Sequence, residues 1–264
     1  MRAIYSGIIT YGLITLNVKL YNCQKQNAIS FNNLCPCGNK LKYRYYCDKE
    51  NRFVESREIK KGFKISKGLG YVVFDKEELE AIKPKSSKVI EISSFCSIED
   101  IDPIYFDKFY YVIPEKENEK AYFLLKEALS LSNKIAIAKI TIRNKEHLCA
   151  LKPYKNLIVL ITLYDKEDIV NGEEILEEND IKKPILNKEE VDYAIKFIEV
   201  KNEDFQKIME NHKDGFREMV KEFIKAKAEN KFFKPITVKE QVETPNSLVE
   251  ALKVSIEKAK KKNS

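Results

Sequence analysis

The chain has 264 residues, of which 44% are hydrophobic and 33% are charged, a balance typical of a globular protein with one large domain and an appendage. These values exclude collagen-like, low-complexity and wholly disordered chains, and no apolar run approaches the roughly 20 residues that a membrane helix needs. The six cysteines follow no secretory leader, so we expect reduced thiols, a cytoplasmic location and no membrane partner.

Positive charge is concentrated in one segment. The net charge of the chain is +6, and residues 38–67 alone hold ten Lys and Arg against four Asp and Glu. A segregated basic run attracts polyanions, because binding releases their condensed counterions. A solvated hairpin with a lysine-rich face explains the same run, so charge alone leaves both interpretations open.

The first two thirds of the chain favour strands. Residues 4–21 are rich in Ile, Thr, Tyr and Val and are interrupted by Gly7 and Gly12, which predicts two strands around a turn. Asp75 followed by Glu78 indicates a short capped helix, and apolar spacing predicts a longer helix over 119–132. We predict hairpins over 43–54 and 58–65 and further strands over 71–74, 89–95, 108–113, 135–142 and 157–164. Strands around one central helix, without βαβ repeats, indicate a mixed barrel.

The last third favours helices. Asn187 with Glu190 forms a capping box, and apolar stripes follow it. Little sequence remains to cover these stripes, so we expect them to pack against the barrel or another subunit. The predicted ranges are a core over 1–184 with a basic hairpin region over 30–67, a helical arm over 185–231, a linker over 232–246 and a lysine-rich C-terminal helix over 247–264.

No catalytic signature is evident, and we predict that the chain is not an enzyme. His147 and His212 are the only histidines, and neither lies in a metal or nucleophile motif. Acidic side chains are so frequent that spacing selects no catalytic pair.

The cysteines resemble half of a zinc ribbon. The string Cys35-Pro-Cys37-Gly is followed by Cys47, whereas a structural zinc site usually has four ligands from two Cys-x-x-Cys turns. Cys35, Cys37 and Cys47 are therefore candidate zinc ligands, with Cys23 as a fourth only if the fold brings it near. Cys23, Cys96 and Cys149 could equally be small buried apolar residues.

Several strings resemble the prokaryotic Ku family of DNA-end-binding proteins. They follow in order over essentially the whole chain: MRAIYSGIITYGLI at 1–14, VKLY at 18–21, the Gly62-Phe63 pair, DKEELEA at 75–81, IDPIYFDK at 101–108, EKAY at 119–122 and AIAKITIRNKEHL at 136–148. The resemblance implies an α+β fold, mainly a β-barrel core with a C-terminal helical arm, that forms a ring-shaped homodimer. It also implies sequence-independent binding of double-strand break ends and recruitment of an ATP-dependent DNA ligase in non-homologous end joining, at the nucleoid.

This resemblance, together with the charge pattern, gives three sets of candidate residues. For DNA binding they are Lys40, Lys42, Arg44, Arg52, Arg57, Lys60, Lys61, Arg143 and Lys145. For dimerisation they are Phe205, Met209, Phe216, Met219, Val220 and Phe223, and for ligase recruitment Leu248, Leu252 and Ile256. We expect Lys40, Lys42 and Arg44 to alternate along a strand and so to share one face.

Two other functions fit the sequence. A lysine could attack abasic sites as a Schiff base, which would make the protein a lyase at DNA ends. A zinc-ribbon module that binds RNA is the other alternative.

Overall fold

The computed structural model describes residues 1–25, 29–65, 70–82, 88–143, 145–232 and 248–262, with side chains as far as Lys260. The strands are β1 Tyr5–Tyr11, β2 Ile14–Asn22, β3 Tyr45–Cys47, β4 Arg52–Val54, β5 Lys61–Lys64, β6 Tyr71–Phe74, β7 Val89–Cys96, β8 Phe106–Pro114, β9 Ile135–Ile142, β10 Lys145–Tyr154 and β11 Leu157–Leu163. The helices are α1 Lys76–Ile82, α2 Glu119–Leu131, α3 Gly172–Glu178, α4 Lys188–Lys201, α5 Phe205–Asn211, α6 Gly215–Ala228 and α7 Leu248–Lys262. The chain divides into a barrel unit, Met1–Asn171, and a helical unit, Gly172–Ser264.

Seven strands of the barrel unit form a closed barrel in the order β1-β2-β8-β11-β10-β9-β7. Neighbouring strands are antiparallel except where β1 meets β7, whose parallel pairing closes the barrel and places Ile9 opposite Ile90. Gly12 has a φ of +58° in the β1–β2 turn, a conformation that glycine adopts without strain. The predicted barrel class is therefore confirmed.

Alternation along the strands places one set of apolar side chains inside the barrel. Ile9, Leu16, Ile90 and Leu160 are all fully buried there. Helix α2 packs against β2 and β10, and its buried residues belong to the same core. The members from α2 are Tyr122, Leu125 and Leu129.

A second apolar cluster covers the opposite face of β11. Val159, Ile161 and Leu163 alternate with the interior residues of β11 and pack against Phe106 and Phe109 of β8. Strand β11 is therefore buried on both faces, which explains its nearly continuous apolar sequence.

Most predicted elements are present, but β10 was missed. Its sequence begins with Lys145-Glu-His147, and its buried members Cys149, Ala150 and Leu151 are consecutive, so no clean period of two is visible. The strand forms through tertiary pairing with β9 and β11. The predicted hairpin over 43–54 is present as the small sheet β3–β4. The predicted hairpin over 58–65 supplies only β5, which pairs with the predicted strand over 71–74, β6, in a second small sheet separate from the barrel sheet.

Within the helical unit, α4 packs against α7. Asn187 caps α4 by accepting a hydrogen bond from the Glu189 backbone N–H at 3.2 Å, and the Asn187 N–H donates to Glu190 at 3.1 Å, as the predicted capping box requires. The helical unit begins at Gly172, which is earlier than the arm predicted to start at residue 185.

Candidate nucleic-acid interface

The basic hairpin region consists of a turn, the β3–β4 hairpin and the β5–β6 hairpin. A single bridge between Leu34 and Lys40 closes the turn, and Gly38 has a φ of +85° within it. Residues 41–44 then have no regular secondary structure. The prediction that Lys40, Lys42 and Arg44 alternate along a strand is therefore wrong.

Two local hydrogen bonds connect these residues to the preceding loop. The Leu41 N–H donates to the Asn33 carbonyl at 2.9 Å, and the Asn33 side-chain amide donates to the Tyr43 hydroxyl at 2.8 Å. Leu41 is thus held to the preceding loop through its backbone, and Tyr43 through its side chain. Lys40, Lys42 and Arg44 remain exposed to solvent.

Three of the predicted DNA-binding cations are paired with acids close in sequence. The Arg52 guanidinium lies 2.7 Å from Glu50 and 3.0 Å from Glu58, and these partners raise the pKa of Arg52. The hydrogen bond from Arg52 in turn lowers the pKa of Glu58. Arg57 pairs with Glu55 at 2.8 Å and Lys60 pairs with Asp75 at 3.0 Å.

The other four predicted DNA-binding cations of the region differ from these three. Within the residues that the structure describes, Lys40, Lys42, Arg44 and Lys61 make no ion pair within 4.0 Å. Because their charge is not neutralised locally, they are better placed than Arg52 to neutralise phosphates.

Arg143 and Lys145 lie in a different place, at the turn from β9 to β10. Arg143 has a φ of +51°, and both side chains are exposed. His147, which follows them on β10, is half-buried, and burial together with the charge of Lys145 lowers its pKa. No hydrogen bond or ion pair among the described residues joins this turn to the basic hairpin region.

The three cysteines predicted to bind zinc are not grouped around one point in the structure. Cys35 and Cys37 lie near each other, and the Asn39 backbone and the Cys35 side chain both lower the pKa of Cys37. Cys47 instead lies on β3 opposite Arg52. No group of three or more His, Cys, Asp or Glu side chains within the described ranges is arranged to hold a metal ion. The donor set therefore does not fit zinc, because a structural site needs four ligands around one point.

Aromatic side chains lie among the cations of the β3–β4 hairpin, and the DNA-binding candidates chosen from the sequence do not include them. Tyr46 and Phe53 face each other across the hairpin with ring centroids 5.3 Å apart, and the Arg44 guanidinium lies 6.0 Å from the Phe53 centroid. Tyr43 is 90% exposed and Tyr45 is 68% exposed. The string KYRYY at 42–46, with its basic and aromatic residues interleaved, is the signal that could have revealed them.

The predicted dimerisation residues lie on two helices instead of one continuous stripe. Helix α5 ends at Asn211, and Asp214 caps α6 by accepting a hydrogen bond from the Arg217 backbone N–H at 3.0 Å. Four of these side chains are exposed: Phe205 (68%), Phe216 (75%), Met209 and Phe223. The other two, Met219 and Val220, are half-buried.

The predicted ligase-recruiting residues belong to α7. Leu248 is exposed, whereas Leu252 and Ile256 are half-buried on the helix that packs against α4, and Ala259 is buried. The Lys253 ammonium lies 4.8 Å from the ring centroid of Tyr193 on α4. The predicted linker falls almost wholly on residues 233–247, outside the described part of the chain.

A search for membrane-spanning helices found no helix with the length and apolar character that crossing a bilayer requires among the residues described.

Comparison with known proteins gives one consistent result. The family model for Ku, the Ku70/Ku80 beta-barrel domain, matches residues 10–193. The chain is 36% identical to the non-homologous end joining protein Ku of Archaeoglobus fulgidus over 98% of its own length and 100% of that protein. It is 33% identical to the protein of the same name from Heliobacterium modesticaldum, over 98% of the chain and 93% of the relative. For the Bacillus subtilis protein of that name the identity is 31%, over 100% of the chain and 84% of the relative.

Proposed function

The chain belongs to the Ku family, and from this premise we propose that it binds the ends of broken double-stranded DNA and acts in non-homologous end joining. The observation that carries the proposal is full-length similarity to proteins named for that process. The DNA of prokaryotic cells such as Bacillus subtilis lies in the cytoplasm, so the proposal places the protein there, at the nucleoid.

The contact with DNA is made to phosphates. Lys40, Lys42, Arg44 and Lys61 supply charge that no acid among the described residues neutralises, and Arg143 and Lys145 add a second basic site on the barrel unit. Lys and Arg contacts to phosphates carry no sequence information. Such binding suits a protein that must accept a break of any sequence.

Two copies form a ring that an end must enter. The helical unit exposes large apolar side chains on α5 and α6, including Phe205 and Phe216, and a second copy that covered them would remove this surface from water. A closed ring cannot load onto DNA without ends. Ring closure therefore explains a preference for DNA ends that does not depend on contacts to bases.

Helix α7 recruits the ATP-dependent DNA ligase of end joining. Its Leu252 and Ile256 are half-buried on the helix that packs against α4, so the ligase would contact the exposed part of the helix, which includes Leu248. The assignment of this role rests on similarity of the C-terminal segment to the family's short tail.

Trapping on circularised DNA tests the ring. The protein is loaded on a linear duplex, the DNA is then closed into a circle by ligation, and an excess of linear competitor is added. A ring remains on the circle, because no end is available for release. Release from the circle at the same rate as from the linear duplex would contradict the ring.

A further inference from the structure

Four aromatic side chains of the β3–β4 hairpin and its entry are exposed to solvent. These side chains are Tyr43, Tyr45, Tyr46 and Phe53. The Tyr45 side chain makes no ring contact or hydrogen bond in the described part of the chain, and the Tyr43 hydroxyl accepts a single hydrogen bond, from Asn33. Isolated exposed aromatics are ordinary, but four within eleven residues are a local concentration that phosphate binding does not explain.

The hairpin holds two of these rings in a fixed arrangement. Tyr46 and Phe53 are a directly opposed pair in the ladder, and their rings meet edge to face at 71°. The Tyr46 hydroxyl donates a hydrogen bond to Asn51 in the turn. Tyr45 projects from the other face, because successive residues of a strand point in opposite directions.

The charge around the rings favours a nucleic-acid ligand over an apolar protein surface. Lys40, Lys42 and Arg44 surround Tyr43 in sequence, carry no ion pair among the residues described, and would have to be desolvated beneath a protein partner. A polyanion gains from the same cations. Rings and cations combined in one groove or patch are typical of proteins that bind single strands.

Paired bases in a duplex are already stacked on one another, so they offer no face to a protein ring. Bases of a single-stranded extension are free to stack on tyrosine and phenylalanine, and such stacking tolerates any sequence. Broken ends of DNA commonly carry extensions of this kind. The exposed rings thus match the unpaired bases of an extension, which the duplex part of the end does not offer.

We propose that the β3–β4 hairpin, with Tyr43 and Tyr45 as its most exposed rings, stacks on the unpaired bases of a single-stranded extension at the DNA end. The inference rests on the proposed end binding and deepens it by naming the part of the substrate that this site recognises. Lys40, Lys42 and Arg44 neutralise the phosphates of the extension, while the rings contact its bases.

The first test compares two DNA probes. One is a blunt duplex, and the other is the same duplex with an oligothymidine extension. Wild type should bind the extended duplex more tightly, and Tyr43→Ala with Tyr45→Ala should weaken that binding about tenfold or more while leaving the blunt duplex unaffected. Tyr43→Phe with Tyr45→Phe should retain the preference, because it keeps both rings. Tyr154→Ala removes an exposed tyrosine from the barrel and should change neither affinity.

The second test uses the absence of tryptophan from the chain. Tyr45→Trp introduces a single reporter at an exposed position. Its fluorescence should be quenched by the extended duplex and by free oligothymidine, and little by the blunt duplex. The quenching should persist at a salt concentration that weakens phosphate contacts, because stacking is not an ionic interaction.

Three results would overturn the inference. If the double alanine variant lost affinity for the blunt and the extended duplex equally, the rings would be needed to stabilise the hairpin and not to contact the extension. In the absence of DNA, the Tyr45→Trp variant could show the emission maximum of a buried tryptophan, and that maximum could shift with protein concentration. This result would show that the rings contact a second copy of the chain. Unchanged extended binding in the double variant would show that the rings contact no base. Failure of wild type to bind blunt ends would instead contradict the proposed function, which keeps the two claims separable.

Discussion

The hydroxyl of Tyr122 donates a hydrogen bond to the Val112 carbonyl at 2.7 Å and joins helix α2 to the barrel. The same hydroxyl accepts a hydrogen bond from the Ile158 N–H at 2.7 Å. Val112 and Ile158 are opposite each other on β8 and β11, so the hydroxyl bridges the two strands. Burial raises the pKa of Tyr122, which keeps the phenol protonated and able to donate.

Tyr122→Phe should destabilise the barrel unit. The change removes only the hydroxyl and leaves the Val112 carbonyl and the Ile158 N–H without this partner, at a cost of about 1–3 kcal/mol. Urea unfolding measures the difference in free energy. Tyr154→Phe is the control, because Tyr154 is exposed and should lose almost nothing. Equal stability of both variants would show that β8 and β11 re-pair directly without the bridge.

The salt dependence of DNA binding should separate the unpaired cations from the paired ones. Lys40→Ala, Lys42→Ala and Arg44→Ala together should reduce the slope of log K against log salt by up to about 2.7, at about 0.9 for each phosphate that the protein no longer neutralises. The measurement is fluorescence anisotropy with a short linear duplex over a range of salt.

The matched control for this experiment replaces Arg52, Arg57 and Lys60 by alanine. These cations are neutralised by neighbouring acids, so their removal should change the slope less than removal of the unpaired set. Overall affinity can still fall, since Glu58 and Asp75 would then repel DNA. A larger change in slope from the paired set would reverse the assignment of the phosphate contacts.

Thiol reactivity should differ strongly between Cys37 and Cys149. A hydrogen bond from the Asn39 backbone N–H and one from the Cys35 thiol lower the pKa of Cys37, which is exposed. Burial raises the pKa of Cys149 to about 12. The thiolate is the form that is alkylated, so Cys37 should react first, and its rate should rise at a lower pH than for an ordinary cysteine. Mass spectrometry of iodoacetamide-treated peptides gives both rates, and faster labelling of Cys149 would contradict the barrel core.

Phe216→Asp should convert a dimer into a monomer. Phe216 is 75% exposed in the single chain, so the change costs the isolated fold little, whereas an unpaired carboxylate buried beneath a second copy costs several kcal/mol. Light scattering should change from about twice the chain mass of 30.8 kDa to that mass, with an unaltered circular dichroism spectrum. Leu13→Asp is the control at an exposed turn of the barrel unit. A wild-type protein that is already monomeric would contradict the dimer.

Local patterns were sufficient to predict much of the barrel. Strands β1, β2, β8, β9 and β11 follow β-branched or aromatic runs, and α2 follows a helical period of apolar residues. These elements are determined by side chains close in sequence. Strand β10 could not be predicted in this way, because its pairing with β9 and β11 overrides a sequence that begins with charged residues.

The candidate site was less predictable because it depends on which side chains meet in loops and short hairpins, where no regular period fixes the spacing of the partners. Nothing in the spacing showed that Arg52 would be held by Glu50 and Glu58, that Asn33 would bind the Tyr43 side chain, or that residues 41–44 would form no strand. The three cysteines had a suggestive order, but β3 places Cys47 opposite Arg52. Charge and composition thus identified the region, and geometry was needed to choose among its residues.

The most direct test of the central claim is a competition between linear and closed circular DNA of the same sequence. A labelled linear duplex is bound by the protein, and each unlabelled form is added in increasing amounts. A ring that loads only through an end should be displaced by the linear form, and the closed circle should compete hardly at all. Equal competition by the two forms would show that the cations act as an open surface patch, and would contradict end recognition.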